Sequence, residues 1–529
     1  FDINYSINQS WQQFIGMPEG VDAIDFMMLT NEKRKHNFDN NFLNVQAPVY
    51  AYADFEPFLN GTRKTSDWTG VAFREFAGQQ QHNLNVNGGT EKITYFFNFG
   101  YQKQDGVFKS GDINYDKYNF RSNVTVDITK GLRAQVLASG WLDKKYTPYQ
   151  DQWTIYKYAW NTIPRNPIYA NDNPLYPAVI KDNVNPAVVT DAEKSGWRDY
   201  RRNNFTGQLN LQYEIPGVKG LTAKALYNYS YGSDNNTDSR REYQLYTYTA
   251  ETDIYAPQTV ARPSFINRTY RNRIYAQSQL SLNYVNTFFN DHNVAATLVY
   301  EQTHQTGDNF RAQRNLSIPL DYLFGGVALD QVGTMDQGGL YDIGYRSIIG
   351  RLNYDFKGKY LVEFSFRRDG SNNFQPGPDQ WGFFPAISAG WILTKESFFR
   401  NLVSENILTS LKLRGSWGEA GDPGGRGFNY INGYNYPVNQ YIFTGPINTS
   451  VQRLGNPGLS WNTVTKKNIG LDFTLFNGKI DGTVDVFRAD RTDLPVTPSN
   501  ALPGTVGASV PEINYESDRV QGLDFNISY

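Results

Sequence analysis

Apolar and polar residues alternate along most of this chain. Phe1, Ile3, Tyr5 and Ile7 are separated by Asp2, Asn4, Ser6 and Asn8. Phe120, Val124, Val126 and Ile128 alternate with Arg121, Asn123, Thr125 and Asp127. Phe205, Leu209, Leu211, Tyr213 and Ile215 do the same against Thr206, Gln208, Asn210, Gln212 and Glu214, and Leu221, Ala223, Ala225, Tyr227 and Tyr229 against Thr222, Lys224, Asn228 and Ser230. The pattern returns at 274–284, 348–356, 360–366, 411–417, 469–475, 480–486 and 523–529. Successive side chains of a strand point to opposite faces, so each segment predicts a strand with one apolar and one polar face.

A soluble sandwich would alternate as well, and the connections discriminate. The pattern predicts about sixteen strands whose links alternate between short and long, as outer-membrane barrels require. Short links fall at 88–92, 129–131, 216–220, 357–359 and 477–479, where Gly88-Gly89 and Asn477-Gly478 suit tight hairpins. Long links fall at about 12–79, 143–203, 232–273, 304–340, 421–461 and 492–517. Link 394–409 lies on the short side of the count but is longer than the others there. With the first strand leaving the periplasm, every long link is extracellular. One helix is expected, over 22–35, with Asp22 as its cap and Ile24, Met27, Met28 and Asn31 along one face.

Composition sharpens this picture. Charged residues are 19% of the 529, and aromatics 15%, with 37 Tyr and 34 Phe. Aromatic girdles at membrane interfaces and stacking surfaces for sugars both produce such an excess. Mean hydropathy is −0.57, and no apolar run is long enough for a transmembrane helix. Barrel strands escape that test because alternation hides their apolar half. Cysteine is absent, which removes disulfides and thiolate chemistry, and a net charge of −2 gives no footing for nucleic acid.

Enzyme signatures are missing. The four histidines, His36, His82, His292 and His304, have no metal-ligand spacing, and no nucleophile elbow or P-loop occurs. The glycine-rich stretch 421–427 lacks the following Lys-Ser/Thr and helix of a phosphate loop. Asp369-Gly370-Ser371-Asn372-Asn373 opens like a calcium loop but lacks the later bidentate Glu. No catalytic residue, metal or cofactor is expected.

Several segments resemble, in order, the SusC/RagA family of TonB-dependent outer-membrane transporters of Bacteroidetes. They are Ser66-Asp67-Trp68, Phe73-Arg74, the run from Gln81 to Gly89, Gly100 to Gly106 and Tyr118 to Asn123. Further on come Gly350 to Tyr354, Phe366 to Ser371, Phe383 to Ala386, Ser388 to Trp391, Leu413 to Gly418 and Asn468 to Asp472. The resemblance implies an all-β, transmembrane antiparallel barrel of about twenty-two strands, of which about sixteen are expected over 1–529. An N-terminal plug domain would fill such a barrel; no plug segment or TonB box is recognised in this chain, and the expectation is an incomplete barrel. It implies a cell outer-membrane location, a SusD-like lipoprotein lid, energy from the TonB-ExbB-ExbD complex through an N-terminal region, and import of a glycan or peptide ligand. A passive porin of about sixteen strands and a surface adhesin are the competing readings.

In a membrane barrel the polar register faces the lumen. Arg121, Arg133, Arg351, Arg367, Lys412 and Arg414 fall on that register, with Lys224, Glu363 and Asp485, and are expected to line the lumen or contact a plug. Sugar rings offer apolar C–H faces and hydroxyl edges, which aromatic rings among amides and carboxylates complement. Tyr149, Trp153, Tyr156, Trp160, Trp197 and Tyr200 in one long link, and Tyr430 and Tyr434 in another, are therefore the expected substrate-binding residues.

Overall fold

The computed structural model describes residues 1–16, 18–39, 47–318, 320–424, 427–435, 450–498 and 510–529. Seventeen strands form one sheet. All but one run as a single antiparallel meander: β1 Asp2–Gln12, β2 Ala77–Gly89, β3 Ile93–Asp105, β4 Asn114–Thr129, β5 Leu132–Pro148, β6 Gly196–Glu214, β7 Leu221–Arg240, β8 Phe265–Phe288, β9 His292–Leu316, β10 Tyr341–Phe356, β11 Tyr360–Ser371, β12 Trp381–Ile392, β13 Leu408–Asp422, β14 Asn462–Leu475, β15 Ile480–Val496 and β16 Ile513–Ser528. The remaining strand, Gly326–Thr334, pairs with the outer end of β9. Among the described residues β1 and β16 each pair on one side only.

The links fall on two rims in the expected order, with 393–407 again long for its rim. One rim carries 90–92, 130–131, 215–220, 289–291, 357–359, 393–407 and 476–479; the other carries 13–76, 106–113, 149–195, 241–264, 317–340, 372–380, 423–461 and 497–512. Links 106–113 and 372–380 are brief for their rim and do not stand out as long links in the sequence. The strands also run further than alternation suggests, so that link 143–203 shrinks to 149–195, 232–273 to 241–264 and 304–340 to 317–340. Beyond the apolar band both faces of a strand are polar, as in Arg201-Arg202-Asn203-Asn204, and the period-two signal vanishes while the backbone ladder continues. The strands β8 and β9 have 24 and 25 residues, against the roughly 9–11 that cross a bilayer.

The long 393–407 link holds a short helix, Ser397–Leu402. It is tied back to its neighbours by Glu396, which accepts from Trp391 Nε1 at 3.2 Å and pairs with Lys359 Nζ at 3.3 Å. The Tyr360 hydroxyl, with Trp391 and Lys359, holds the Glu396 carboxyl below the ordinary carboxylate range.

The helix expected at 22–35 forms as α1, Ala23–Asp39, with Asp22 Oδ1 accepting from the Asp25 amide at 2.7 Å. Its buried face is Ala23 and Met27, and Asn31 exchanges two hydrogen bonds with the Tyr50 backbone. Met28, expected on that face, is exposed instead. The long links also contain helices that the sequence pattern does not announce, among them α2 Tyr52–Leu59, α3 Trp68–Ala72, α4 Gln152–Asn161 and α5 Pro186–Val189. Each spans too few turns to establish a periodic stripe.

The two faces of the sheet differ as alternation requires. On the apolar register Leu209, Leu211 and Tyr213 of β6 are exposed beside Val136 of β5 and Tyr227 of β7. Leu352 lies between Ala296 and Phe364, and Leu471 between Leu413 and Val484. An exposed apolar band across so many strands is far larger than a soluble surface carries. Aromatics edge it at both ends. Toward the long-link rim, His82 stacks on Tyr101 at 6.0 Å and Tyr101 on Tyr118 at 4.8 Å. Toward the short-link rim, Tyr360 stacks on Phe356 at 6.2 Å and on Trp391 at 6.3 Å. The opposite register is polar and bonded side chain to side chain, as in Asn210 Nδ2 to Gln135 Oε1 at 3.0 Å and Gln208 Nε2 to Asn210 Oδ1 at 2.9 Å. No described helix is long and apolar enough to cross a membrane.

Replacing Leu211 by Arg is expected to impair barrel assembly far more than replacing Gln212 by Arg. The charge costs roughly 2–4 kcal/mol at a mid-depth lipid-facing site and much less on the polar face. Heat-modifiable electrophoretic mobility of both variants checks this; equal tolerance would contradict the assigned faces.

Candidate functional site at the long-link rim

Above the apolar band, the polar register of β5 to β8 carries an acid–base ladder, one residue per strand. Arg202 donates from Nε to Asp143 Oδ1 at 3.1 Å and from its terminal nitrogen to Oδ2 at 2.9 Å. Arg273 grips Asp234 in the same forked way at 3.0 and 3.1 Å. Arg202 stands directly between Asp143 and Asp234 in the strand register. Both carboxylates are buried, and Tyr115 donates to Asp143 at 3.3 Å. Bidentate pairing satisfies charges that would be costly to bury alone.

Further out on the same face sits a second, less complete group. The Arg198 guanidinium lies 4.9 Å from the Tyr149 ring centroid and 3.9 Å from Asp238. Asn267 donates to the other Asp238 oxygen at 3.0 Å, and Arg311 donates to Asn267 at 2.7 Å. Tyr200 stands opposite Asn236 on the neighbouring strand. Asn236 Oδ1 is buried without a hydrogen-bond partner, and Arg198 Nε and Asp238 Oδ1 face each other only at the 3.9 Å of an ion pair. Buried polar atoms are nearly always satisfied, so this group is less tightly bonded than the ladder below it.

The eight expected substrate residues are thus distributed over several environments. Tyr149 and Tyr200 come together around Arg198. Trp153 and Trp160 lie on one exposed face of α4, two turns apart, with Asp151 capping the helix. Tyr156 shares that side of the helix, stacked on Trp153 at 5.4 Å, and also packs against Phe73 and Phe14 at the edge of the core formed by Ala72, Phe73, Phe108, Ile155, Ala159 and Val189. Trp197 and Tyr200 are not in a link at all but in β6, because the ladder continues past the alternating segment. Trp197 stacks on Tyr146 at 6.0 Å and donates to Asp321 at 3.4 Å. Tyr430 is half-buried beside Phe428, and the Tyr434 side chain lies outside the described residues. Sequence reasoning misses Tyr115, Asp143, Arg202, Asp234 and Arg273; their clue is charge at every second position beyond the last apolar residue.

In the lumen proper, the expected cations keep to the polar register. Arg133 pairs with Asp127 at 2.6 Å, Arg351 with Glu363 at 2.5 Å and Arg367 with Asp369 at 3.0 Å. Arg414 bridges Asp472 at 3.0 Å and Asp485 at 2.7 Å, and Asn468 donates to Asp485 at 2.8 Å. Lys412 and Arg121 have no carboxylate partner among the described residues. With Asn293, Asn353 and Glu363, Lys412 and Arg414 line a hollow of about 580 Å³. No cluster of metal-ligating side chains occurs among the described residues. The Asp369–Asn373 segment serves structure: Asn372 accepts from the Gly344 amide at 2.8 Å and donates to the Asp342 carbonyl at 3.0 Å.

Residues 140–529 match the family described as TonB dependent receptor-like, beta-barrel. The chain is 25% identical over 483 residues to the TonB-dependent receptor P26 of Formosa agariphila, covering 89% of this chain and 46% of that protein. It is 25% identical over 472 residues to the TonB-dependent receptor SusC of Bacteroides thetaiotaomicron, covering 84% and 44%. Among solved structures, the RagAB peptide transporter superposes with a TM-score of 0.72 at 18% identity, over 99% of this chain and 58% of that one. The chain therefore spans about half the length of the curated relatives it matches.

Arg414 reaches Asp485 across Gly470, which stands between them in the register. A Cβ at Gly470 would lie 2.5 Å from Arg414 Cζ and 2.6 Å from Asp485 Oδ1. Gly470→Ala is expected to cost about 1–3 kcal/mol by breaking this charge-assisted bond. Gly415→Ala, whose new methyl meets nothing closer than 3.9 Å, serves as the neutral control. Thermal unfolding of the two variants in detergent distinguishes them; indistinguishable midpoints would remove the role given to Gly470.

Proposed function

Because the chain belongs to the TonB-dependent receptor-like β-barrel family, we propose that it forms the wall of an active importer for glycan oligomers, working with a SusD-like surface lipoprotein. Membership in that family separates it from passive porins and from enzymes, and places it in the outer membrane. The long-link rim faces outward in this reading, and the TonB-ExbB-ExbD complex supplies energy through the N-terminal region of the whole protein. Arg121, Arg133, Arg351, Arg367, Lys412 and Arg414 line the lumen or meet a plug.

The observation that carries the reading is the outer mouth. Trp153, backed by the Tyr156 ring stacked on it, and Trp160 share one exposed helix face, and their open sides suit stacking on sugars or a lid. Tyr149 and Tyr200 stand in the less tightly bonded group, suited to hydroxyl edges. A second reading, peptide as cargo, is prompted by the RagAB peptide transporter, whose fold this chain shares.

Cysteine in place of Leu175, exposed on link 149–195, should react with an impermeant thiol reagent on intact cells, and cysteine in place of Lys130 should not. The reverse result would invert the barrel. Trp153→Ala with Trp160→Ala should abolish growth on the cognate glycan while surface expression stays normal. Each ring is worth on the order of 1 kcal/mol, so either single change should weaken binding only several-fold. Unchanged uptake by the double variant would take α4 out of the mechanism, and uptake of oligopeptide but not oligosaccharide by the unmodified protein would decide for peptide.

A further inference from the structure

The outward face of the sheet holds a polar depression where the apolar band ends at the long-link rim. It measures about 330 Å³ and is lined by Gln302 and His304 of β9, Gly344 and Arg346 of β10, Gly370 of β11 and Trp381 of β12. All six lie on the lipid-facing register, as their pairing with the Ile348, Phe366 and Phe383 register shows. Gly344 is open, with nothing closer than 3.9 Å to where a Cβ would stand, while the Trp381 ring lies over Gly370. Arg368 stands at its edge, opposite Ile348, and Arg346 stands opposite Gly370.

The charges here are unlike those of the lumen, where most arginines hold a carboxylate. Arg346 has no hydrogen-bond or ion-pair partner among the described residues, and Arg368 has only the Trp381 ring, 5.3 Å from its guanidinium carbon. The nearby carboxylate on this face, Asp342, is engaged by His304 at 2.7 Å. Immediately toward the bilayer lie Ile348, Tyr300 and Phe383, all exposed. The same step from apolar to cationic recurs on the outward register of β14 and β15, where Lys467 follows Ile469 and Arg488 follows Val486. At the short-link ends of β10, β11 and β12 the register instead holds Phe356, Tyr360 and Trp391.

We infer that this depression is a binding site for a phosphorylated glycolipid of the outer leaflet. Two guanidiniums on adjacent strands, neither holding a carboxylate, match a phosphate, whose oxygens accept forked hydrogen bonds. Gln302 offers donors and acceptors to sugar hydroxyls, beside a Trp381 ring that Arg368 and Gly370 flank. Ile348, Phe366 and Phe383 lie where acyl chains would run. The site faces the membrane, so a soluble phosphate compound would reach it only by displacing lipid. The inference rests on the outward placement of the long-link rim, not on the cargo, and the Leu175/Lys130 labelling tests that placement separately.

The test uses the full-length receptor extracted in mild detergent and lipid A as probe. Native mass spectrometry should show lipid A bound at higher occupancy than its dephosphorylated form, and inorganic phosphate in excess should not compete. Arg346→Gln with Arg368→Gln should weaken lipid A binding by about tenfold or more, whereas Lys219→Gln, exposed on the opposite, short-link rim, should leave it unchanged. Equal binding of the two lipid forms would overturn the proposal, and that comparison needs no variant. Loss of lipid A to excess inorganic phosphate would reassign the site to a soluble anion. Full retention by a correctly assembled double variant would overturn it as well.

Discussion

Inside hydrocarbon a backbone amide has no water to bond with, and everything else in this molecule follows from that requirement. A chain that crosses the bilayer as strands must pair each crossing with its neighbour. The meander meets this economically, since each strand pairs with the one before and after it through a link that never has to cross the sheet. Tight links can join strands at one rim, where Gly131, Gly217, Gly358 and Gly478 adopt positive φ. The other rim is left free to carry long insertions, and it does. Side chains are then divided by a period of two, one set meeting lipid and the other meeting water and charge.

That period makes the barrel legible in the amino-acid sequence. Strand number, link parity and the lipid-facing identity of Leu211, Leu352 and Leu471 all follow from which positions alternate. The limits of legibility have the same physical source. Alternation reports an apolar face, so it goes silent where strands rise above the membrane with both faces polar. This hides Trp197 and Tyr200 in what looks like a loop, and hides the Asp143–Arg202–Asp234–Arg273 ladder. Short helices such as α4 are hidden for a second reason: ten residues rich in Trp and Tyr read as a ligand loop, while three-dimensional packing turns Ile155 and Ala159 inward and the tryptophans outward. Composition therefore finds the candidate site, and only geometry sorts it.

Several positions in or beside the short segments that resemble a transporter family hold the architecture. Asp67 caps α3 through the Gly70 amide at 2.7 Å. Arg74 donates from Nε to the Gly106 carbonyl at 2.8 Å, fastening the first long link to the end of β3. Asn372 supplies side-chain bonds that continue the β10–β11 ladder past its last residue. Gly470 leaves the space through which Arg414 reaches a second carboxylate. Such positions constrain residue type through space and bonding, which is why they can be read from sequence.

The ladder at the mouth has one further consequence. Its two carboxylates and two guanidiniums alternate and cancel, so the wall they form has no net charge and its field dies away within a few ångströms. Such a row does not itself pull ions of either sign from solution. At contact the four groups are already spent on one another, each carboxylate gripped through both oxygens by its arginine. The ladder is in this sense a brace, tying four strands together at a height where no bilayer presses on them.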